Sequence, residues 1–353
     1  MSRAQLTSTV EQNTGGAVSP YVAGKNFVIN GGFDIWQRGT SFASSAISSV
    51  ATSYTVDRWN FYRSGWASGA TLSRQLTGDT TNLPFIQYCA RVGRDSGNTG
   101  TADISFSTST ETVNAIPFAG KTVTISYYAR RGANYSGASN NLGAYVFTGT
   151  GTDQNAINGY TGAVTAINNT GSTVLTTTWQ RFTASATLAS NVTEIAASFA
   201  YTPVGTAGAA DYFEITGVQL EIGSVATPFS RAGGTLSGEL TACQRYYQRY
   251  SQTAATNQLI GNGAAFSGTS ADFSFPMTST FRVFPTAIDY SNIAIYQFAN
   301  LTTYSSGTFS IAGTAGLPII RYVHGSSVFT ANNVEALVTN TGSLGYLGLS
   351  AEL

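Results

Sequence analysis

The stretch DYFEITGVQLEIGSVATPFSRAGGTLSGELTACQRYYQRY, Asp211 to Tyr250, places a strand, a sharp exit and a helical pattern in succession. Phe213 and Ile215 share one face of an alternating run; beyond Gly217 the apolar set continues as Val218, Leu220 and Ile222, against Gln219 and Glu221. Strand side chains alternate with a period of two, so a change of phase at a glycine predicts a β-bulge or bend. Gly223 and Pro228 end the strand, and Gly233 with Gly234 frees the backbone. Ser237 is placed to cap a helix whose first turn holds Glu239, where the macrodipole favours an anion. Leu240, Cys243, Tyr247 and Tyr250 then recur at the 3, 4, 3 spacing of a helical stripe, too short to argue a coiled coil. Two readings of the stripe stay open: a connector packing on its own chain, or a seam that meets symmetry mates.

Outward from this stretch the chain reads as strands between Gly, Ser, Thr and Asn clusters. FVINGGFDIWQRG carries a turn at Asn30, Gly31 and Gly32, and YTVDRWNFYR puts Trp59 and Phe61 on one face. IQYCARV sets Ile86, Tyr88, Ala90 and Val92 against Gln87, Cys89 and Arg91. KTVTISYYARRG turns Val123, Ile125, Tyr127 and Ala129 inward, with Tyr128 and Arg130 on the other face. TWQRFTASATL and EIAASFAY add two more strands, the second alternating Ile195, Ala197, Phe199 and Tyr201. The Gly-, Asn- and Thr-rich segment from Gly132 to Ser172 predicts long loops with at most short strands. Residues 1–26, polar and without period, predict an N-terminal arm; a jelly-roll β-sandwich is expected over 27–232, a connecting helix over 233–252 and a smaller β-sandwich over 253–353.

The composition fits an all-β protein. Charged residues make up 10% of the 353, and 17 basic residues balance 17 acidic ones. This balance removes the electrostatic basis for a nucleic-acid partner. No apolar run reaches bilayer length and the N-terminus lacks a signal-peptide core, so neither membrane insertion nor export by the usual route is expected. Cys89 and Cys243 read as two free thiols.

NFVINGGFDIWQRG, GKTVTISYYARRG, TTTWQRFTASATL and DYFEITGVQLEIG, in that order, resemble the jelly-roll carbohydrate-binding modules appended to xylanases and related glycanases. Continued into GSVATPFSR and CQRYYQRY, the set is similar to a module of tail fibres and other virion structural proteins of tailed bacteriophages, over about Asn26 to Tyr250. FSFPMTSTFRVFPTAI and the closing GLSAEL are similar to the short β domain that follows it there. The resemblance implies a virion protein assembled in the bacterial host cytoplasm, a homotrimer, attachment to other virion proteins through the arm, and a host cell-surface glycan as partner. It also implies a structural calcium near the first and last strands. Asp34 stands in the first motif, but Gly32 and the ITGV of Ile215 to Val218 lack acids that such modules often have there.

Catalytic chemistry finds little support. His324 is the one histidine, in a YVHGSS that reads as a turn or strand end, and there is no P-loop, HExxH or paired CxxC. GTGTD at Gly149 lacks dinucleotide-site spacing. Asp34, Asp57, Glu214 and Glu221 are the acids nearest the motifs and are expected to be solvated or structurally bonded. Sugar contact by ring stacking is the reading with most chemical content. Its candidates are Trp66 between glycines, Tyr128 and Arg130 opposite the core face, and Tyr135 and Tyr145 flanking the Asn-rich loop. No enzyme activity, catalytic residue, metal ligand or cofactor is assigned. A polysaccharide-depolymerising tail protein and a capsid or tail decoration protein are the competing expectations.

Overall fold

In the computed structural model, which describes residues 23–253, 258–314, 316–340 and 344–353, the protein is all-β and divides into two units, one ending at Leu240 and one spanning Thr241–Glu352. Of the expected arm, residues 1–22 lie outside the described residues. Lys25 and Asn26 belong to the first unit: Lys25 Nζ bonds the Pro228 carbonyl, and the buried Asn26 amide donates to Val218 O at 2.9 Å.

The first unit is a sandwich of two antiparallel sheets. Its strands are β1 Ser41–Ala43, β2 Asn60–Arg63, β3 Ala70–Leu76, β4 Tyr88–Arg94, β5 Ile104–Ser109, β6 Thr122–Arg131, β7 Gly143–Gly149, β8 Val164–Asn168, β9 Gln180–Thr187, β10 Glu194–Tyr201 and β11 Tyr212–Ile222. One sheet has the order β1-β3-β4-β11-β6-β9 and the other β2-β5-β10-β7-β8. Strands β7 and β8 lie in the segment expected to be mainly loop; its glycines and asparagines supply the turns, while AYVF alternates as a strand should. The alternating residues of β6 and β10 meet across the sandwich as expected, with Val123, Ile125, Tyr127, Ile195 and Phe199 all buried.

The phase change in β11 is a bulge. Pairing with β6 slips between Thr216 and Gln219, and Gly217 sits there at φ +58°, where a side chain would also drive into Ile86 and Tyr128. Phe213, Ile215, Val218 and Leu220 all face the core, whereas Ile222 emerges half exposed at the strand end. The opposite face of β11 is buried as well. Glu214, Thr216 and Gln219 are covered there because the chain leaving the strand folds back and seats Phe229 on Leu83, Ile86 and Tyr128.

The helix runs from Leu236 to Gln244, and its cap differs from expectation. Thr235 Oγ1, not Ser237, accepts the Gly238 N–H at 3.1 Å. Glu239 reaches back to accept the N–H groups of Gly233, at 2.6 Å, and of Asn30. Burial raises its carboxyl above the ordinary glutamate value, and these hydrogen bonds only partly offset the effect. A raised acid releases its proton first in the unfolded chain. Glu239 therefore favours folding fully below the ordinary glutamate range and progressively less as pH rises through its folded value. The slope of Tm against pH between about pH 4 and 7 is expected to flatten in Glu239→Gln, whatever the absolute Tm.

The helical stripe breaks after Cys243. Tyr247 and Tyr250 belong to a strand, β12 Tyr247–Ser251, so the connecting helix does not extend to 252. Pairing with the last strand overrides the helical spacing, and YYQRY is rich in strand-favouring tyrosine. An odd separation on a strand sends Tyr247 and Tyr250 to opposite faces. The Tyr247 hydroxyl donates to Asp289 at 2.9 Å, while Tyr250 packs edge-on to Phe275, its hydroxyl pushed up to about 12 by burial. Leu240 is half-buried and Cys243 fully buried; both cysteines are free thiols.

The second unit is the smaller sandwich. Its further strands are β13 Leu259–Ala265, β14 Ser270–Ser274, β15 Ala287–Ser291, β16 Ile293–Gln297, β17 Thr302–Tyr304, β18 Thr308–Thr314, β19 Leu317–Val323, β20 Val334–Thr339 and β21 Tyr346–Ser350. A three-stranded sheet, β12-β21-β15, packs Leu347 and Leu349 on a seven-stranded sheet, β17-β16-β20-β13-β14-β19-β18, through Ile295, Phe273, Ile320 and Leu337. No helix among the described residues is long and apolar enough to cross a membrane.

Candidate functional site

The two outer faces of the first sandwich differ in what they leave open. On the six-stranded sheet, chain folded back over β6 and β11 covers part of the face, leaving a cleft of about 220 Å³ between Pro84, Phe85, Tyr128 and Phe229 and, beside it, a shallower depression of about 660 Å³ bounded by Leu76, Thr77, Tyr88, Asp34 and Arg231. Among the described residues, Asn82 is the only polar side chain that lines the cleft apart from the Tyr128 hydroxyl. Arg130 is on this face but is committed to structure: its Nε lies 2.5 Å from Glu214 and its guanidinium 4.6 Å from the Trp179 ring.

On the five-stranded sheet the register lines up small side chains. Tyr62 pairs with Ser105, Ser105 with Ala200, and Ala200 with Gly143; in the next row Ser107 pairs with Ser198 and Ser198 with Tyr145. A floor of Ser, Ala and Gly therefore runs across β5 and β10 between aromatic edges on β2 and β7. Three inter-strand steps set these edges roughly 14 Å apart.

At the β2 edge, Tyr62 and Trp66 meet edge to face at 4.7 Å, and the turn presenting Trp66 needs left-handed backbone at Gly65 and at Trp66 itself, φ +70° and +55°. Such backbone at a tryptophan is uncommon and is held by the Ser64 N–H to Asp103 O bond, 2.8 Å. At the β7 edge, Tyr145 and Phe147 stack at 5.4 Å with ring planes 12° apart. Gly143 makes this arrangement possible, because a Cβ there would lie 2.6 Å from the Tyr145 hydroxyl, which accepts from Thr170 Oγ1 at 3.0 Å.

Two depressions open on this face. One, about 280 Å³, is bounded by Tyr62, Phe147, Ile157 and Ser107; the other, about 300 Å³, by Ser139, Asn141, Thr170 and Thr202. They share Asp103, Tyr145 and Ala200, which makes them one groove. Its rings offer apolar faces and its hydroxyls and amides offer hydrogen bonds, the pairing that a pyranose requires.

The five sugar-contact candidates thus do not converge. Tyr145 lines the groove; Trp66 packs on Tyr62 and partly against the core without lining either depression; Tyr128 and Arg130 lie on the opposite sheet, and Tyr135 is buried. Its ring packs 4.8 Å from Tyr201 and its hydroxyl donates to Asn141 O at 2.8 Å, so it is a core residue. The sequence reading missed Tyr62, Phe147 and Asp103. Strand alternation was the available signal for the first two, since Trp59 and Phe61 inward place Tyr62 outward, and Tyr145 outward carries Phe147 with it.

The acids near the motifs are structurally bonded. Asp34 pairs with Arg231 at 2.7 Å, Asp57 accepts the Gln37 N–H at 2.7 Å, Glu214 is clamped by Arg91 and Arg130, and Glu221 accepts from Thr227. At Asp34, the position implied for calcium, Arg231 supplies the positive charge. No cluster of three or more His, Cys, Asp or Glu that could hold a metal occurs among the described residues. His324 follows β19 as a strand-end residue, with Ser306 Oγ 3.0 Å from Nε2 and the Ser326 N–H donating to Nδ1 at 3.1 Å.

No protein-family model matches the chain, and no curated protein matches it. Among solved structures it is similar to the enzymatically active domain of tailspike protein 4 from bacteriophage CBA120, at 11% identity and a TM-score of 0.33, over 58% of this chain and 22% of that one. It is also similar to a CBM4 structure, at 19% identity and a TM-score of 0.35, over 56% of this chain and 100% of that one. A third is the CBM22-1 and GH10 part of a Clostridium thermocellum endo-1,4-β-D-xylanase complexed with xylohexaose, at 9% identity and a TM-score of 0.30, over 48% and 27%. The chain spans about a fifth of the tailspike chain's length, 22%.

Proposed function

We propose that this chain is a glycan-binding structural protein of a phage virion, a tail fibre or similar appendage that contributes to host-surface adhesion through the outer face of its five-stranded sheet. The floor of small side chains between Tyr62 with Trp66 and Tyr145 with Phe147 carries the glycan reading. The appendage reading rests on the resemblance of the Asn26–Tyr250 motif set to phage modules. A homotrimer attached through the N-terminal arm belongs to the same reading, and native mass measurement checks it.

Binding without turnover is part of the proposal. Among the described residues Asp103 is the only acid lining the groove, whereas glycoside hydrolysis ordinarily uses two carboxyl groups about 5 to 10 Å apart. Release of reducing sugar from host polysaccharide by the purified chain would contradict it.

Tyr62→Ala and Tyr145→Ala are each expected to remove about 1 kcal/mol or more of stacking, roughly fivefold in affinity for host-surface polysaccharide. Both rings are partly exposed, so thermal stability should change little. Affinity electrophoresis beside a melting curve reads both, and undiminished retention of the double variant would remove the groove as the site.

A further inference from the structure

Among the described residues, Asp103 is the only charged one lining either depression of the groove, and it lines both. It immediately precedes β5, and its backbone carbonyl, bonded by the Ser64 N–H, ties it to the Tyr62 and Trp66 edge. Its carboxylate accepts a hydrogen bond at Oδ1 from Thr202 Oγ1, 3.1 Å; among the described residues Oδ2 has no partner and no Lys or Arg pairs with the group. Burial holds the carboxyl above the ordinary aspartate value, which the Thr202 hydroxyl only partly offsets. An acidic oxygen left open in a partly desolvated groove is a strong acceptor for sugar hydroxyls and a poor neighbour for a second anion.

Building on the glycan reading of this face, we propose that Asp103 makes the groove selective for uncharged polysaccharide over polyanionic chains such as polyuronates. It accepts hydroxyls of the sugar that spans the two depressions and repels a carboxylate placed there. Among the described residues no basic side chain lines the groove to receive an anion. Like charges about 4 Å apart disfavour one another roughly fivefold even in water, and more where water is partly excluded.

The test is affinity electrophoresis of the full chain at pH 7 in gels holding a neutral β-glucan, a mannan, alginate or polygalacturonate. Wild type is expected to be retarded by at least one uncharged polymer and by neither polyuronate. In Asp103→Asn the amide oxygen can keep the Thr202 bond, so Tm should hold while the preference for uncharged over anionic polymer narrows about tenfold. Asp103→Ala should weaken retention on the uncharged polymer by a similar factor. Equal retention of wild type on both polymer classes, or an unchanged preference in Asp103→Asn, overturns the role of Asp103. If retention on the uncharged polymer still falls in Tyr145→Ala, that result leaves the glycan-binding face standing. Retention of the wild type by no polymer overturns both.

Discussion

Replacing Asp211 by alanine is expected to lower the unfolding free energy by about 3–5 kcal/mol, the cost of breaking a buried ion pair by removing one partner. Asp211 and Arg94 have no exposed side-chain surface, and Arg94 Nε lies 2.8 Å from Asp211 Oδ2. The aspartate also accepts the Ser136 N–H at 2.9 Å and the Ser136 hydroxyl at 2.8 Å. Arg94 spends its remaining donors on the Ser136 hydroxyl and on carbonyls, among them Val204 and Gly205, both at 2.8 Å. One pair thus fastens the ends of β4 and β11 to the loops around Ser136 and Val204. Those loops lead to Ser139 and Thr202, which frame the second depression of the groove. Chemical unfolding should show a lower midpoint at unchanged slope, and polysaccharide retention should fall even where the variant remains folded. Because Arg94→Met removes the charge that Asp211→Ala strands, the double variant should lose less than the sum of the two singles. A loss below about 1 kcal/mol in Asp211→Ala would mean that water reaches the guanidinium and the pair is not truly dry.

The core was legible in the sequence because it is written in alternation. Val123, Ile125 and Tyr127, or Ile195, Ala197 and Phe199, can share a face only if their segments are strands, and Gly217 marks where the phase slips in β11. What alternation cannot tell is which polar face stays open. Tyr128 and Tyr145 look alike in sequence, each opposite a core residue, yet Phe229 comes back from beyond β11 to cover one and leaves the other at a groove edge. That difference depends on a contact about a hundred residues distant. The Tyr247 and Tyr250 error has a related cause. A helical spacing carried by four residues is too short to outweigh strand pairing, and the partner that decides it, β21, lies almost at the other end of the chain's second unit. Asp103 belongs to no motif; what singles it out is its place as the one charge among the described residues that line the groove.

Trp59→Ala should be the other large loss, about 3–5 kcal/mol, as expected for emptying a fully buried aromatic site. The indole stacks on Phe106 at 4.7 Å and on Phe199 at 6.2 Å, and Phe33 tilts against it at 5.1 Å. Phe106 and Phe199 project inward from β5 and β10, the strands whose outward residues Ser105, Ser107, Ser198 and Ala200 form the groove floor. The same rings that fill the core therefore support the groove floor from beneath. Alanine at 59 should give a lower melting temperature together with weaker retention on polysaccharide gels, whereas alanine at 145 should give weaker retention alone. Trp59→Phe, which keeps a ring in the stack, should recover more than half of the stability and most of the retention. If Trp59→Ala melted like wild type, the five-stranded sheet would not depend on this cluster for its packing. A groove kept intact in that variant at reduced stability would show instead that backbone pairing across β2, β5, β10 and β7 suffices to hold the floor.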